Sequence, residues 1–359
     1  MKKPTLKLLR KKKQAKKPVR ITNQTVAEHR EQIIAKARRF KYPIQYTKHR
    51  VVVNVAILGA VVVVAFLLFS WWQLYKVQTT ADFFYRIVRI VPVPVASVDG
   101  EFVKYGDYLL NYKGSETYLT AIEKVNKNTY ANGNDSKSQY DFYKAQAMHN
   151  AVAETYAQKL AREHNVTVTD KQVEEVIMRT RKTSSSQGEI SQEAYDRATE
   201  QYYGFSPSEH RHYLRKRLLR QAVSYAIDNK AKQAAEATQK AVQAQPQKSF
   251  EEIVPELQRS HPTIQILASG WVKKDNKDGG LARAASELQK GQSSGMIKSL
   301  KGDGYYFVRL LDTNKDGEVN YEFIRVPLTE FDARLAKLRA DNKIQHYITV
   351  PDTQPKVTQ

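Results

Sequence analysis

The chain has 359 residues, of which 41% are hydrophobic, and these include 21 Tyr and 12 Phe. This is enough apolar material for two or three folded domains, so a wholly disordered chain is excluded. The absence of cysteine excludes disulfide scaffolds, thiol catalysis and cysteine-ligated metal centres. Residues 1–50 carry a net charge of +15, residues 51–75 carry none, and residues 76–359 carry +6. The protein is therefore nearly neutral apart from a strongly basic N-terminal segment.

That basic segment has a lysine-rich start and a stretch with helical character. Residues 1–20 contain few apolar side chains, so we expect them to be disordered. Thr25 and Glu28 have the spacing of a capping box, which predicts a helix that begins there and ends before Pro43. Three interpretations stay open: a topology signal, a helix held on anionic lipid, or a contact with ribosomal or other RNA.

Residues 51–75 form an apolar segment long enough to span a bilayer. Val51–Phe69 contains a single polar side chain, Asn54, and at ~1.5 Å per residue such a helix nearly crosses a ~30 Å hydrocarbon core. A buried core helix would not need an apolar run on every face. A cleaved signal peptide would need a cleavage site of small residues, which is missing. Aromatic rings favour the headgroup level, and those expected there are Trp71, Trp72 and Tyr75.

The charges that flank the apolar segment predict its orientation. Lys and Arg next to a span are retained on the cytoplasmic side. Lys48 and Arg50 directly precede the segment, and many more cations lie upstream. We therefore expect a single-pass protein of the cell membrane, with residues 1–50 in the cytoplasm and residues 76–359 outside.

Residues 76–228 show signals of a β-hairpin followed by helices. Asp99-Gly100 separates two short apolar runs and favours a two-residue hairpin turn. Thr169-x-x-Gln172 and Ser206-x-x-Glu209 have the spacing of capping boxes and predict two helix starts. Apolar spacing and loop composition complete the prediction. Helices are expected from about Asp107, over Tyr140–Glu163, Gln172–Thr180 and Ser206–Leu219, and loops at Asn132–Asp135 and Ser184–Gly188.

Three pieces of this region resemble, in order and spacing, the N-terminal domain of the SurA/PrsA/PpiD chaperones. They are VDGE at Val98–Glu101, HNVTVTDKQVEEVI at His164–Ile177, and GFSPSEHRHYLRKRLLRQAV at Gly204–Val223. A single N-terminal anchor with the body outside is also similar to this family. The resemblance implies a helical cradle that holds unfolded or nascent secreted and envelope polypeptides near the translocon.

Residues 229–328 are expected to form a parvulin-like domain, because the segment from Glu287 to Asp312 is similar to the second half of a parvulin prolyl isomerase. The similarity rests on Gly270-Trp271, Glu287–Ser294 and Gly304–Asp312. It implies a small sheet wrapped by helices, with Tyr305–Leu310 as a central strand. The helices predicted here are Lys230–Ala244, Phe250–Gln258 and Leu281–Leu288.

The chain departs from parvulins at their two histidines. Tyr306 occupies the second position, and no strand precedes Lys230. The missing first strand is expected to be Tyr321–Val326, which places Phe323 in the first position. Holding of peptide without catalysis is therefore favoured, and an active prolyl isomerase stays open as an alternative. The side chains expected to bind peptide are Trp271, Tyr305, Tyr306, Phe307 and Phe323.

Two further motifs suggest metal binding but are better explained otherwise. Asp312–Glu318 matches the start of an EF-hand loop, but Phe323 stands where the closing carboxylate is required and both flanks read as strands. A polar hairpin turn is favoured. His210 and His212 on one helix point apart. We expect no metal site and no cofactor.

These observations predict an α+β, membrane-anchored chaperone with one transmembrane helix, a mostly helical SurA-like domain and a small, degenerate parvulin-like α/β domain. A non-catalytic envelope scaffold that only docks partners is the alternative from another functional class. The C-terminal helix, predicted over Thr329–Ile348, is expected to pack back onto the N-terminal domain, as the resemblance implies. The expected segments are basic 1–50, transmembrane 51–75, chaperone domain 76–228, parvulin-like domain 229–328, and C-terminal helix and tail 329–359.

Overall fold

The structure is a computed structural model of the chain, and it describes residues 22–41, 43–125, 133–183 and 188–351. These residues belong to two compact units, which divide the chain between Trp72 and Gln73. Several sequence predictions lie outside the described residues. They concern residues 1–20, Asn132, residues 184–187 and most of the C-terminal tail.

The first unit contains two helices, α1 (Asn23–Lys41) and α2 (Pro43–Trp72). The prediction that Thr25 caps α1 is wrong, because the helix begins at Asn23. The backbone N–H of Thr22 donates to Thr25 Oγ1 at 2.9 Å, and that hydroxyl donates back to the carbonyl of Thr22 at 2.8 Å. Thr25 therefore stabilises the first turn from inside the helix.

Helix α2 contains the predicted apolar segment. Every side chain from Val51 to Phe69 is exposed. Arg50–Val77, which includes a π-helical turn at Gln73–Val77, is long and apolar enough to cross a membrane by length and composition. In the described part of the chain it is the one helix that meets this criterion.

The second unit begins with a helical region that contains the predicted hairpin. Asp99 and Gly100 both have positive φ, 48° and 84°, as a two-residue turn between twisted antiparallel strands requires. The hairpin prediction is confirmed. The elements are α3 (Asp82–Ile90), β1 (Pro94–Val98), β2 (Glu101–Lys104), α4 (Tyr105–Val125), α5 (Gly133–Glu163), α6 (Asp170–Thr183), α7 (Gln192–Tyr203) and α8 (Pro207–Ile227).

Two capping boxes fix the starts of α6 and α8 as predicted. At α8 the backbone N–H of Ser206 donates to Glu209 Oε2 at 2.8 Å, and that of Glu209 donates to Ser206 Oγ at 3.4 Å. Thr169 and Gln172 form the same reciprocal pair at α6. The loop expected up to Asp135 is wrong, since α5 already begins at Gly133. Gly, Asn and Asp favour helix starts as well as loops.

A four-stranded antiparallel sheet follows, with strand order β3-β6-β5-β4. Helices α9 and α10 cover one face of the sheet, and α11 covers the other. The predicted strand Tyr305–Leu310 lies within β5, and Tyr321–Val326 lies beside it in β6. The elements are α9 (Asn229–Ala244), α10 (Phe250–Ser260), β3 (Gln265–Val272), α11 (Leu281–Ser286), β4 (Ile297–Lys298), β5 (Gly304–Thr313) and β6 (Val319–Pro327).

The C-terminal helix packs against the helical region that contains α3–α8, as expected. Helix α12 (Glu330–Ala340) packs Phe331 against Tyr156 of α5, with ring centroids 5.8 Å apart. The prediction of one helix to Ile348 is wrong. Asn342 has a φ of 54°, which ends the helical path, and β7 (Ile344–His346) then pairs antiparallel with β1. The fold is α+β and mostly helical, with two small sheets.

Candidate functional site

The five side chains expected to bind peptide are not brought together. Tyr305 and Phe307 lie in the core beneath α9 and α10, with 3% and 0% of their surfaces exposed. Tyr306 lies on the opposite face of the same strand, under α11. Successive strand residues point to opposite faces of a sheet, so a single groove cannot contain all three. Tyr305 and Phe307 are core residues.

Tyr306 and Phe323 do lie side by side on the α11 face, with ring centroids 5.9 Å apart. The hydroxyl of Tyr306 donates to Asp303 Oδ2 at 2.9 Å. Burial and this hydrogen bond raise the pKa of Tyr306 to about 12. The hydroxyl is therefore protonated at neutral pH and already engaged with a carboxylate.

Trp271 lies apart from that pair, on the edge strand β3. Its side chain is 48% exposed, and the backbone opposite it belongs to Asn320. A bulge between Ala268 and Trp271 includes Gly270 with a φ of 63°. Because a bulge twists the strand and re-aims the side chains beyond it, Trp271 projects from the sheet edge as a single exposed ring.

The three aromatic residues expected at a membrane interface have different surroundings. Trp71 and Trp72 are exposed at the end of α2. Tyr75 instead belongs to the second unit, where its hydroxyl donates to the carbonyl of Pro94 and its ring packs edge-on against Tyr105. Tyr75 is therefore a packing residue, unlike the exposed Trp71 and Trp72.

An open cleft of about 390 Å³, which we call the α6–α8 cleft, lies between two helices and the loops of the four-stranded sheet. Side chains at i, i+3 and i+4 positions of α6 and α8 form one side. The β3–α11 loop, α11 and the β4–β5 turn form the other side. The residues that line it are Val176, Arg179, Thr180, Leu214, Arg217, Leu218, Gln221, Lys274–Lys277, Gly279, Gly280, Arg283, Leu300 and Lys301.

Specific contacts hold the two sides of the cleft in place. Gln221 of α8 donates from Nε2 to the carbonyl of Lys301 at 2.9 Å. Gly302 fits against Gln221 so closely that an added Cβ would lie 2.3 Å from its side chain. On the helical side, Arg211 of α8 pairs with Glu174 of α6 at 2.6 Å. The cleft is thus part of a packed framework.

A buried ion cluster stabilises the same helix, α8, from its other face. The ammonium of Lys216 contacts Asp107 of α4 and lies 3.8 Å from Glu154 of α5. Burial alone would raise the pKa of Asp107, but the hydrogen bond from His212 and the charge of Lys216 lower it to about 2. Burial raises the pKa of Glu154 despite Lys216. Sequence analysis missed this cluster, because three charged residues on three helices carry no pattern.

The two motifs that suggested metal binding have other structural roles. Asn314 Oδ1 accepts the backbone N–H groups of Asp316 at 3.0 Å and Glu318 at 2.9 Å, which closes the hairpin turn between β5 and β6. The hairpin interpretation is confirmed. His210 contacts the hydroxyl of Tyr195 at 2.8 Å, whereas His212 contacts Asp107 at 3.2 Å. No group of three potential metal ligands occurs among the residues that the structure describes.

Comparison with known families identifies the class of protein. Residues 44–224 match the model of the SurA-like N-terminal domain. The match begins in α2, so it includes the apolar helix, and it ends in α8. Because it covers half of the chain, the chain belongs to the family with this domain, and the resemblance to SurA/PrsA/PpiD chaperones is confirmed. Comparisons with curated proteins and with solved structures gave no match.

Proposed function

We propose that the protein is a membrane-anchored, extracytoplasmic chaperone that holds unfolded or nascent secreted and envelope polypeptides. The observation that carries this proposal is the SurA-like N-terminal domain over residues 44–224, since domains of this kind bind unfolded polypeptides. The domain boundaries predicted at residues 228 and 328 are part of the proposal. We further propose that the translocon is the place where clients are met.

The anchor in this proposal is α2. Its side chains from Val51 to Phe69 are exposed and apolar, and such a surface is stable in lipid rather than in water. The cations upstream favour a cytoplasmic N-terminus. Helix α1 exposes Val26, Ile33 and Ile34 beside its basic residues, which favours an anionic lipid surface over RNA as the partner of the basic segment.

A parvulin-type isomerase is the second candidate function. The observation that favours it is the pairing of β6 with β5, which brings the rings of Tyr306 and Phe323 within 5.9 Å of each other. Against it, Tyr306 is buried under α11 and its hydroxyl is engaged by Asp303. Because a peptide would first have to displace these contacts, we propose holding without catalysis.

The proposal is tested with the full chain in phosphatidylcholine nanodiscs. A urea-unfolded secreted protein is diluted into buffer with the loaded discs, and its aggregation is followed by light scattering. We expect suppression at roughly equimolar chaperone, as for a binding protein without turnover. Empty nanodiscs and nanodiscs that carry an unrelated single-pass protein are the controls. Aggregation at the control rate would exclude a chaperone and favour the scaffold alternative.

The same sample separates holding from catalysis. Uncatalysed prolyl isomerisation takes tens of seconds at room temperature, so acceleration of a short proline peptide is easily measured. We expect no acceleration. A faster rate that disappears in Tyr306→Phe, which removes only the hydroxyl, would establish the isomerase instead.

A further inference from the structure

We propose that the α6–α8 cleft is a client-binding site, and that it selects segments in which acidic side chains alternate with apolar ones. This inference rests on the proposed chaperone function, and it names the site and the class of segment bound.

The first argument is the charge of the cleft. Six of its side chains are cationic and one is a carboxylate. Cations gathered in a concave surface reinforce one another's potential and attract carboxylates over several ångströms. Arginine in addition binds a carboxylate through two parallel hydrogen bonds. The cations are Arg179, Arg217, Lys274, Lys277, Arg283 and Lys301, and the carboxylate is Asp275.

The second argument concerns the partners of these cations. Many cations of the second unit are paired, such as Arg181 with Glu189 at 2.9 Å. Within the described residues, five of the cleft cations form no ion pair with a carboxylate: Arg217, Lys274, Lys277, Arg283 and Lys301.

The loop that carries Lys274 and Lys277 also contains Asp278, but this carboxylate is engaged elsewhere. It accepts the backbone N–H groups of Gly280, Leu281 and Ala282 and the hydroxyl of Tyr321. These contacts cap α11 and hold the loop to the sheet. Asp278 therefore forms no ion pair with these two lysines in the described part of the chain, and the side chains that line the cleft keep an excess of five positive charges.

The third argument is the apolar surface between the charges. Val176, Leu214 and Leu218 are half-buried, and Leu300 is 51% exposed. These side chains can cover apolar groups of a bound segment. The cleft volume of about 390 Å³ lies within the usual range of ligand sites, so it accommodates a short segment of unfolded chain rather than the surface of a folded protein.

The combination of cations and apolar side chains in the cleft favours a peptide over other anionic partners. The cleft lining contains no aromatic ring, whereas proteins that bind single-stranded nucleic acid stack bases on aromatic side chains. A lipid headgroup by itself would pair with the cations but would leave Leu214, Leu218 and Leu300 uncovered. An unfolded segment with both kinds of side chain uses both.

The test measures binding of labelled peptides to the full chain in phosphatidylcholine nanodiscs by fluorescence anisotropy. One short, unstructured peptide alternates Leu and Asp; its counterpart replaces every Asp with Asn. We expect the acidic peptide to bind about tenfold more tightly at low salt, with a smaller difference at high salt. Equal affinity for the two peptides would overturn the inference. So would displacement of both by phosphatidylglycerol vesicles, which would indicate a lipid site.

Two matched triple variants locate the site. Lys274→Glu/Lys277→Glu/Arg283→Glu reverses charges in the cleft, and Lys230→Glu/Lys232→Glu/Lys240→Glu makes the same change in total charge on exposed positions of α9. We expect only the cleft variant to lose the preference for the acidic peptide. Equal loss in both variants would contradict the proposal. If the wild type suppresses aggregation but prefers neither peptide, this inference fails and the chaperone function stands; without suppression, the function itself fails.

Discussion

Single residues determine how firmly the SurA-like region is held together, and Lys216 is the clearest case. Its ammonium is buried between the carboxylates of Asp107 and Glu154, one from each neighbouring helix. Asn111 donates to Glu154 Oε2 at 3.2 Å and His212 contacts Asp107 Oδ1 at 3.2 Å, so each carboxylate has a second polar partner beside Lys216. Loss of the one central cation would leave two buried negative charges.

We therefore expect Lys216→Met to lower the free energy of unfolding by about 3–5 kcal/mol at neutral pH. Acid should restore part of this loss. Without Lys216 the folded-state pKa values of both carboxyl groups rise above their unfolded values, so the folded state binds more protons and gains stability as the pH falls. Urea denaturation followed by circular dichroism, at neutral pH and near pH 5, measures both effects.

In the wild-type chain the contribution of Asp107 should show the opposite trend in acid. Asp107 has a folded pKa of about 2 against an ordinary value of 3.8, so its stabilising contribution is complete above the ordinary value and is lost as the pH falls towards 2. Lys290→Met is the matched control for Lys216→Met, because Lys290 and Asp312 form a solvent-exposed pair, and exposed ion pairs contribute little to stability. A loss of similar size in both variants would show that the cluster is not structurally important.

Residue patterns predict local hydrogen bonds well and three-dimensional neighbours poorly. The Ser206 and Thr169 capping boxes were predictable, because both partners lie within one turn of the chain. The Lys216 cluster was not predictable, because its members are more than 40 residues apart in the sequence. Each of them, taken alone, looks like a charged residue on the solvent-exposed face of a helix. The five aromatic side chains predicted to bind peptide illustrate a second limit of such patterns: Tyr305 and Tyr306 are adjacent in β5 and therefore lie on opposite faces of the sheet.

At the scale of elements, the C-terminal segment closes the fold. Phe331, Leu335 and Leu338 of α12 enter the same apolar core as α4, α5 and α8. Asp228 links the regions: its Oδ2 accepts the backbone N–H groups of Thr329 and Glu330, and its Oδ1 accepts that of Ala231 at the start of α9. The packing of the SurA-like region thus depends on residues that lie far beyond residue 224, where the family match ends.

Phe331→Ala should test this dependence. Truncation of a buried phenylalanine leaves a cavity, and we expect a loss of about 3–5 kcal/mol in the free energy of unfolding. Because Phe331 packs on Tyr156, amide hydrogen exchange should also become faster in α5. Phe102→Ala, at a largely exposed position, is the control. It should change the free energy of unfolding by no more than a few tenths of a kcal/mol and should leave amide exchange in α5 unchanged. Unchanged exchange in α5 would mean that α12 is dispensable.

Element boundaries in this region show where sequence periodicity stops being informative. The spacing of Phe331, Leu335 and Leu338 predicts an amphipathic helix that packs on the core, but Ile344 continues the same spacing, so the predicted helix extends too far. In the structure Ile344 pairs with Val98 of β1. A three-residue strand depends on the edge that it meets, and β1 lies more than 200 residues earlier. Helix α7 was missed, although Ser191 caps it and Gly204 ends it with a φ of 66°.

At the scale of the whole molecule, charge is distributed in three blocks. A net charge of +15 precedes the apolar segment, and the much longer remainder carries +6. A bilayer converts such an asymmetry into orientation, because cations next to a span are retained in the cytoplasm. The α6–α8 cleft would then face secreted polypeptides, whereas α1 would face the cytoplasmic leaflet. The chaperone proposal requires this orientation.

The absence of cysteine makes the orientation directly measurable, since any introduced thiol is the single thiol of the chain. Lys232→Cys and Thr22→Cys place one at an exposed position of each unit. A membrane-impermeant maleimide applied to intact cells should label Lys232→Cys, and it should label Thr22→Cys only after permeabilisation. Labelling of both before permeabilisation would mean that α2 does not span the membrane. The reverse pattern would place the SurA-like domain in the cytoplasm, where it could not reach secreted chains, and would exclude the proposed function.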